Sequence, residues 1–173
     1  MAKILVAGGL CKEDSNAKLS NAREAFAVAV GREVVLRGHV LLGGCRTTMD
    51  AQVAQAAAEA AAARNLDPRK CIRSWVTTTT DPSHCVGEVI RSRMGDWRSV
   101  PRGLVFPEPV QEADVVIIIG GWDGTHYAAS WARLANKPIV PVAAFGMAAM
   151  EIYQDEVACF DLRSSVFQQD YRG

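Results

Sequence analysis

Apolar residues in this chain form short unbroken runs, separated by longer stretches in which they recur every three or four positions. Lys3–Gly9 (KILVAGG) reads as a buried strand that ends in two glycines. Ala22, Phe26, Val30 and Val34 then recur at four-residue steps, which predicts a helix over Ala22–Arg37. Gly38 stops it. His39–Leu42 reads as a second strand, again followed by a glycine pair, Gly43-Gly44. A helix over about Met49–Arg64 comes next, and nine of the thirteen residues Ala51–Ala63 are alanine. Alanine favours the helix and lets a neighbouring element approach closely. Asp67-Pro68 breaks that helix, Cys71–Thr78 reads as a third strand, and His84–Gly95 is expected to be helical. Asp96–Pro109, with Pro101, Gly103, Pro107 and Pro109, reads mostly as loop, and Val110–Ala113 leads into the next strand. In that strand, Asp114–Ile119 (DVVIII), apolar residues do not alternate with polar ones, so both faces are expected to be covered, as in the middle of a parallel sheet. It ends in Gly120-Gly121. A helix from Asp123 or Thr125 to about Asn136, a strand over Lys137–Phe145 and a last helix over about Met147–Val157 complete the pattern.

Strands alternating with helices predict an α/β fold, with a mostly parallel central sheet of about five strands or more and helices on both faces. The 173 residues suit one domain, residues 1–173, interrupted by an irregular insertion at about Thr79–Val110 of a length that suits a lid or an interface. The longest apolar run, Val115–Ile119, is far short of the ~20 residues a membrane span needs, so no membrane partner is expected. Lys and Arg total 19, as do Asp and Glu, and the basic residues are dispersed, which argues against nucleic acid as a partner. Met1-Ala2-Lys3 runs straight into a strand, without a secretory signal. The five cysteines (Cys11, Cys45, Cys71, Cys85 and Cys159) form no C-x-x-C, so neither a disulfide framework nor zinc is expected, and a reducing cytoplasm is the expected location.

Three strands end in glycine pairs: Gly8-Gly9, Gly43-Gly44 and Gly120-Gly121. In an open parallel sheet the carboxyl ends of the strands face one crevice, where ligands bind. Glycine lets backbone approach a ligand with no Cβ in the way. Helix N-termini after the second and third pairs would aim N–H groups at the same space, which suits a phosphate or another anion. Arg46, directly after Gly43-Gly44-Cys45, is a candidate fork for that anion, since a cation is disfavoured at a helix start without one. Asp50 is its candidate partner, or an acceptor for a ribose hydroxyl. The third pair extends into Gly120-Gly121-Trp122-Asp123-Gly124-Thr125, a compact turn opening a helix. It matches neither a Walker loop nor a dinucleotide fingerprint. Its amides near Gly124 and Thr125 are expected to hold a phosphate, with the Thr125 hydroxyl as a further donor. Trp122 either stacks on a purine or packs on the last helix. The backbone at Phe145-Gly146, with Met147, is expected to line the same pocket.

Lys3–Gly9, Gly43-Gly44 and above all the GGWDGT turn resemble the SLOG superfamily. That group includes the "lonely guy" cytokinin-activating phosphoribohydrolases, the DNA-processing Smf proteins and many nucleotide-sensing domains. The resemblance runs from Lys3 to about Val157. Its stretch Gly120–Tyr153 looks most like SLOG modules joined to TIR, sirtuin or nucleosidase effectors in bacterial anti-phage systems. The resemblance implies a Rossmann-like three-layer sandwich, a nucleotide-type ligand over the glycine loops, and dimers or larger assemblies. It further implies a sensor of a nucleotide-derived signal, such as a cyclic ADP-ribose isomer, coupled to an effector domain in the same or a separate chain, with no cofactor. Hydrolase members carry GG-x-GT-x-x-E; here Ala128 stands where that glutamate belongs, and alanine cannot polarise a water or balance an oxocarbenium-like charge. No catalytic residue is therefore assigned. The alternative is a phosphoribohydrolase or deoxyribosyltransferase-like enzyme with a relocated carboxylate, for which Asp50 and Glu151 are the candidates.

The remaining chemistry-bearing residues have plainer readings. Arg23 and Lys18, near the first helix start, are expected on a solvated face. Tyr127 and Trp131 share a helix face and are expected in the core or at a subunit contact. His39 is expected to be structural and His126 exposed. His84-Cys85 has too few partners to make a zinc site.

Overall fold

The computed structural model describes residues 1–9, 17–44, 47–77, 85–93 and 106–170, the last ten of these by their helical path alone. Six strands form one sheet: β1 (Lys3–Gly9), β2 (Val40–Gly44), β3 (Ile72–Val76), β4 (Glu88–Arg91), β5 (Val115–Gly120) and β6 (Ile139–Val142). Their order is β4-β3-β2-β1-β5-β6, and every pairing is parallel. The helices are α1 (Ala17–Leu36), α2 (Thr48–Ala63), α3 (Pro68–Cys71), α4 (Glu108–Glu112), α5 (Asp123–Leu134) and α6 (Met147–Asp170), with a 3-10 turn at Ala143–Phe145. This is the Rossmann-like three-layer α/β fold.

Alternation along each strand divides the core. Val6, Leu41 and Ile119 pack with Ala27, Val34, Val53 and Ala57 of α1 and α2. Leu5, Leu42, Val116 and Ile118 point the other way, onto Ala129, Trp131, Ala149 and Ile152 of α5 and α6. The chain leaves β1 towards one face of the sheet and β5 towards the other. The switch point between these neighbours opens a crevice above their carboxyl ends. At the opposite edge of the sheet, charges tie the strand starts together. Glu112 accepts from Lys3 Nζ at 2.7 Å and also from Arg73, which in turn reaches Glu88 at 2.9 Å.

The structure departs from the sequence pattern in three places. The residues of α1 that face the core are Arg23, Ala27, Gly31, Val34 and Val35; of the expected row Ala22, Phe26, Val30 and Val34 only Val34 is among them, the rest lying one position round. Small residues decide this. A Cβ on Gly31 would lie 2.2 Å from the Val53 carbonyl oxygen, so α1 and α2 touch nearly backbone to backbone. Second, the expected helix over His84–Gly95 is instead strand β4 in its described part. Gly87 has φ +84°, and a Cβ there would lie 2.5 Å from the Ile72 carbonyl oxygen. That bend sets Glu88–Arg91 beside β3 and ends any helix. Third, the stretch read mostly as loop carries the short helix α4, on and after which Val110 and Ala113 are fully buried before β5.

Candidate functional site

Register places two of the glycine pairs side by side. Gly8 pairs with Ile119 and Gly9 with Gly120, at the carboxyl ends of β1 and β5. The Gly121 amide donates to the Gly9 carbonyl at 3.2 Å, and the Ala148 amide at the start of α6 donates to the Gly121 carbonyl, also at 3.2 Å. Gly43 and Gly44 end the neighbouring strand β2, level with Val6 and Ala7 rather than with Gly8-Gly9, because Leu42 pairs with Leu5. All three pairs thus share one edge of the sheet. Cys45 and Arg46 lie outside the described residues.

The glycines differ in what their missing side chains leave room for. At Gly8 a Cβ would lie 2.0 Å from the Ile119 carbonyl oxygen, so the close approach of β1 and β5 requires it. Gly121 has φ +85°, and a Cβ there would lie 1.9 Å from the Thr125 hydroxyl. Thr125 is only 5% exposed and folds back beneath the turn, so its side chain braces the loop. Among the described residues, Gly43 and Gly124 have no neighbour within 4 Å of a Cβ position.

The two helix starts at this edge also differ. Thr47 caps α2: its hydroxyl accepts from the Asp50 amide at 3.1 Å, and the Asp50 carboxylate accepts from the Thr47 amide at 3.0 Å. Asp50 therefore places a negative charge at the positive end of α2. It also lines a cavity of about 10 Å³ beneath Gly43 with Ser74, room for roughly one water. At α5 no described side chain caps the start. The amides of Thr125 and His126 turn back to the Trp122 carbonyl. Those of Asp123 and Gly124, the first two of the helix, bond to none of the described residues. Trp122 is 59% exposed at the head of this turn, which leaves its ring face available, and Asp123 and Gly124 are exposed beside it.

Beneath the turn lies a residue that the sequence placed in solvent. Arg23 is 1% exposed. Its Cδ and Nε lie 2.9 and 3.2 Å from where a Cβ on Gly120 would sit, and Nη2 donates to the Phe145 carbonyl at 3.3 Å. The arginine stem fills the space left by Gly120 and joins α1 to the turns after β5 and β6. Phe145 in turn packs on Phe26 of α1, with ring centroids 5.3 Å apart. The signal for burial was the four-residue row of small residues that follows Arg23, Ala27 and Gly31.

Other candidates resolve plainly. Trp131 is buried and meets Phe106 edge-on, whereas Tyr127 is 40% exposed. His126 pairs with Glu151 at 3.0 Å across α5 and α6. His39 Nδ1 accepts from the Ala2 amide. Ala128, where the hydrolases carry glutamate, is 2% exposed. Cys85 is disulfide-bonded whereas Cys71 and Cys159 are free, which corrects the expectation drawn from cysteine spacing at that one cysteine. Among the described residues, no group of three or more metal-ligating side chains comes together, and no helix is long and apolar enough to cross a membrane. A wider hollow of about 560 Å³ lies between α1 and α2, but Glu24 and Glu59 line it, which does not suit an anion.

Three solved structures share this architecture. TM1055, a structural-genomics protein, is 20% identical, with 89% of this chain and 81% of that one covered and a TM-score of 0.65. The molybdenum cofactor carrier protein from Chlamydomonas reinhardtii is 19% identical, with 80% and 74% covered and a TM-score of 0.58. DNA processing protein A from Helicobacter pylori is 12% identical, with 80% and 63% covered and a TM-score of 0.50. At these identities the likeness establishes the Rossmann-like fold. No protein-family model matches the chain, and no curated protein does.

Proposed function

We propose that this chain is a SLOG-type sensor domain that binds a nucleotide-derived small molecule in the crevice over Gly9, Gly43, Gly120, Gly121 and Gly124. The observation that carries the proposal is the uncapped start of α5 at the sheet's switch point. There, among the described residues, no side chain caps the helix, and Asp123 and Gly124 are exposed beside an exposed tryptophan. A phosphate suits the amides and a purine suits the Trp122 ring. Arg46 is proposed to reach the same anion. That one protein of this fold is a carrier of the molybdenum cofactor supports a small-molecule ligand.

Sensing rather than hydrolysis is supported by Ala128, whose buried position holds no carboxylate, and by Glu151, which pairs with His126 on the outer side. The signal proposed is a cyclic ADP-ribose isomer or a related nucleotide made during phage infection. The domain then works as a homo-oligomer, on an effector in its own or another chain. A sensor transmits binding only if the ligand prefers one of two states.

Native mass spectrometry with a panel of signalling nucleotides tests this through bound mass and subunit number. Gly124→Val and Arg46→Ala are each expected to lose binding with the melting temperature kept, since a Cβ on residue 124 meets none of the described residues. Normal binding by both variants would show that the crevice is not the site. Release of free base from AMP, abolished by Asp50→Asn or Glu151→Gln, would establish the hydrolase instead.

A further inference from the structure

Two turns meet at the crevice, and each contains two left-handed residues. Gly120 (φ +56°) and Gly121 (φ +85°) form the turn after β5, and Gly146 (φ +67°) and Met147 (φ +59°) form the joint that leads into α6. Glycine adopts this region freely, whereas a methionine there is strained. Such strain persists only where the surroundings over-determine it. Here the joint is tied on both sides. After it, the Ala148 amide donates to the Gly121 carbonyl at 3.2 Å. Before it, α1 holds Phe145 twice: Arg23 Nη2 donates to the Phe145 carbonyl at 3.3 Å, and the Phe26 ring packs on the Phe145 ring.

We infer that Arg23 is a positioning residue for ligand binding: through the Phe145 carbonyl it keeps the Gly146-Met147 joint closed on the turn that carries the Asp123 and Gly124 amides. The inference rests on the crevice being the ligand site. Filling the space beneath Gly120 does not call for an arginine. A methionine would fill it without taking a guanidinium out of water, and Arg23 is 1% exposed. What the arginine adds is a charged donor, on a stem that reaches from α1 past Gly120 to the turn after β6. Without that donor the strained joint has one tie fewer. Relaxation at Met147 then pulls on the Ala148 amide, and through it on Gly121. A crevice that holds its binding shape for only part of the time has its affinity lowered by that fraction.

This role has a signature that space filling lacks. Met147→Gly relieves the strain, so the joint stays closed with or without the Arg23 donor. A side chain that only filled the space under Gly120 would matter equally in either background.

Isothermal titration calorimetry with ADP-ribose and with inorganic pyrophosphate, well below every melting temperature, tests this. Arg23→Met is expected to weaken binding about 10-fold, and Arg23→Lys, which keeps a donor, to stay within about 3-fold of wild type. Gly31→Ala, destabilised about two turns further along α1 at the contact with α2, is expected to bind normally. In a Met147→Gly background the loss from Arg23→Met is expected to shrink to about 3-fold or less. Wild-type affinity in Arg23→Met, an equal loss in Gly31→Ala, or an undiminished loss in the Met147→Gly background overturns the proposal. Hydrogen exchange of the unliganded protein decides it without any nucleotide. Arg23→Met is expected to speed the Ala148 amide at least ~10-fold relative to the centres of β1 and β5. A wild type that binds neither probe refutes the crevice as the ligand site, whereas an Ala148 amide unchanged by Arg23→Met refutes the role of Arg23. If Arg23→Met does not fold, Arg23→Gln takes its place throughout.

Discussion

The brace between Gly121 and Thr125 can be broken by one methyl group. In Gly121→Ala the new Cβ would lie 1.9 Å from the Thr125 hydroxyl and 2.8 Å from its Cβ, on a backbone with φ +85°. The left-handed conformation costs an L-residue about 1–2 kcal/mol. Moving a buried threonine out of a packed site costs about 1–3 kcal/mol more. Together these give a loss of roughly 2–5 kcal/mol, or a fall in melting temperature of about 4–20 °C at the 2–4 °C per kcal/mol of a chain this size. Gly124→Ala, three residues on, is the control. Its methyl enters open space inside a helix, so its stability is expected to stay level or rise by up to about 1 kcal/mol. Thermal unfolding followed by circular dichroism separates the two variants. The double variant Gly121→Ala/Thr125→Ala removes the hydroxyl that the methyl meets, and its loss is expected to fall short of the summed single losses by about 1 kcal/mol. A Gly121→Ala protein melting within about 2 °C of wild type, on the same scale, would refute the brace. Strictly additive losses in the double variant would refute its assignment to Thr125.

Three further outcomes follow from the same packing. Gly31→Ala should raise helix propensity by about 1 kcal/mol yet destabilise by a net 1–3 kcal/mol or so, because overpacking against the Val53 carbonyl outweighs propensity; urea midpoints decide the sign. Arg23→Met keeps the stem under Gly120 but leaves the Phe145 carbonyl without its donor. A loss of about 1–3 kcal/mol is expected, with faster hydrogen exchange at the Gly121 amide than at the centres of β1 and β5. Partial burial alone would raise the Glu108 carboxyl, but hydrogen bonds from the Arg93 amide and the Ser92 hydroxyl, each 2.7 Å, outweigh it and hold the pKa below the usual carboxylate range. A group depressed in the folded state stabilises it above the unfolded pKa and loses that contribution as the pH falls through the folded one. Glu108→Gln should therefore flatten the acid limb of a stability curve measured from about pH 7 down to about pH 3.

The sheet was largely legible in the sequence because parallel central strands are apolar on both faces and end in glycine. Residues 3–9, 40–42 and 115–119 carry that signature in the chain itself. Strand β4 was not, since Val86, Val89 and Ile90 mimic helical spacing, and the bend at Gly87 (φ +84°) sits where distant Ile72 leaves no room for a Cβ. The face of α1 was misread for a related reason. A hydrophobic row is sought in large side chains, whereas this face is built on Ala27 and Gly31, whose small size lets α2 come close. Phe26, the largest residue of the expected row, is 38% exposed and serves the crevice rim through Phe145. Burial of Arg23 follows from the same rotation of about 100° per residue.

The crevice was legible as an edge, though its polarity was not. Two helix starts after two glycine pairs look equivalent in sequence, yet Thr47 and Asp50 satisfy one of them with the chain's own atoms and add a carboxylate. A helix start offers an anion about half a positive charge, so a full negative charge at Asp50 turns that end towards donors: sugar hydroxyls or base amines. The start of α5 keeps its amides, although the exposed Asp123 in its first turn offsets part of the field. For the ligand proposed above, this asymmetry suits an anionic end over Gly124 and hydrogen-bond donors over Gly43. The separation between the two glycines, one strand beyond the switch point, then sets the length of molecule the edge can span.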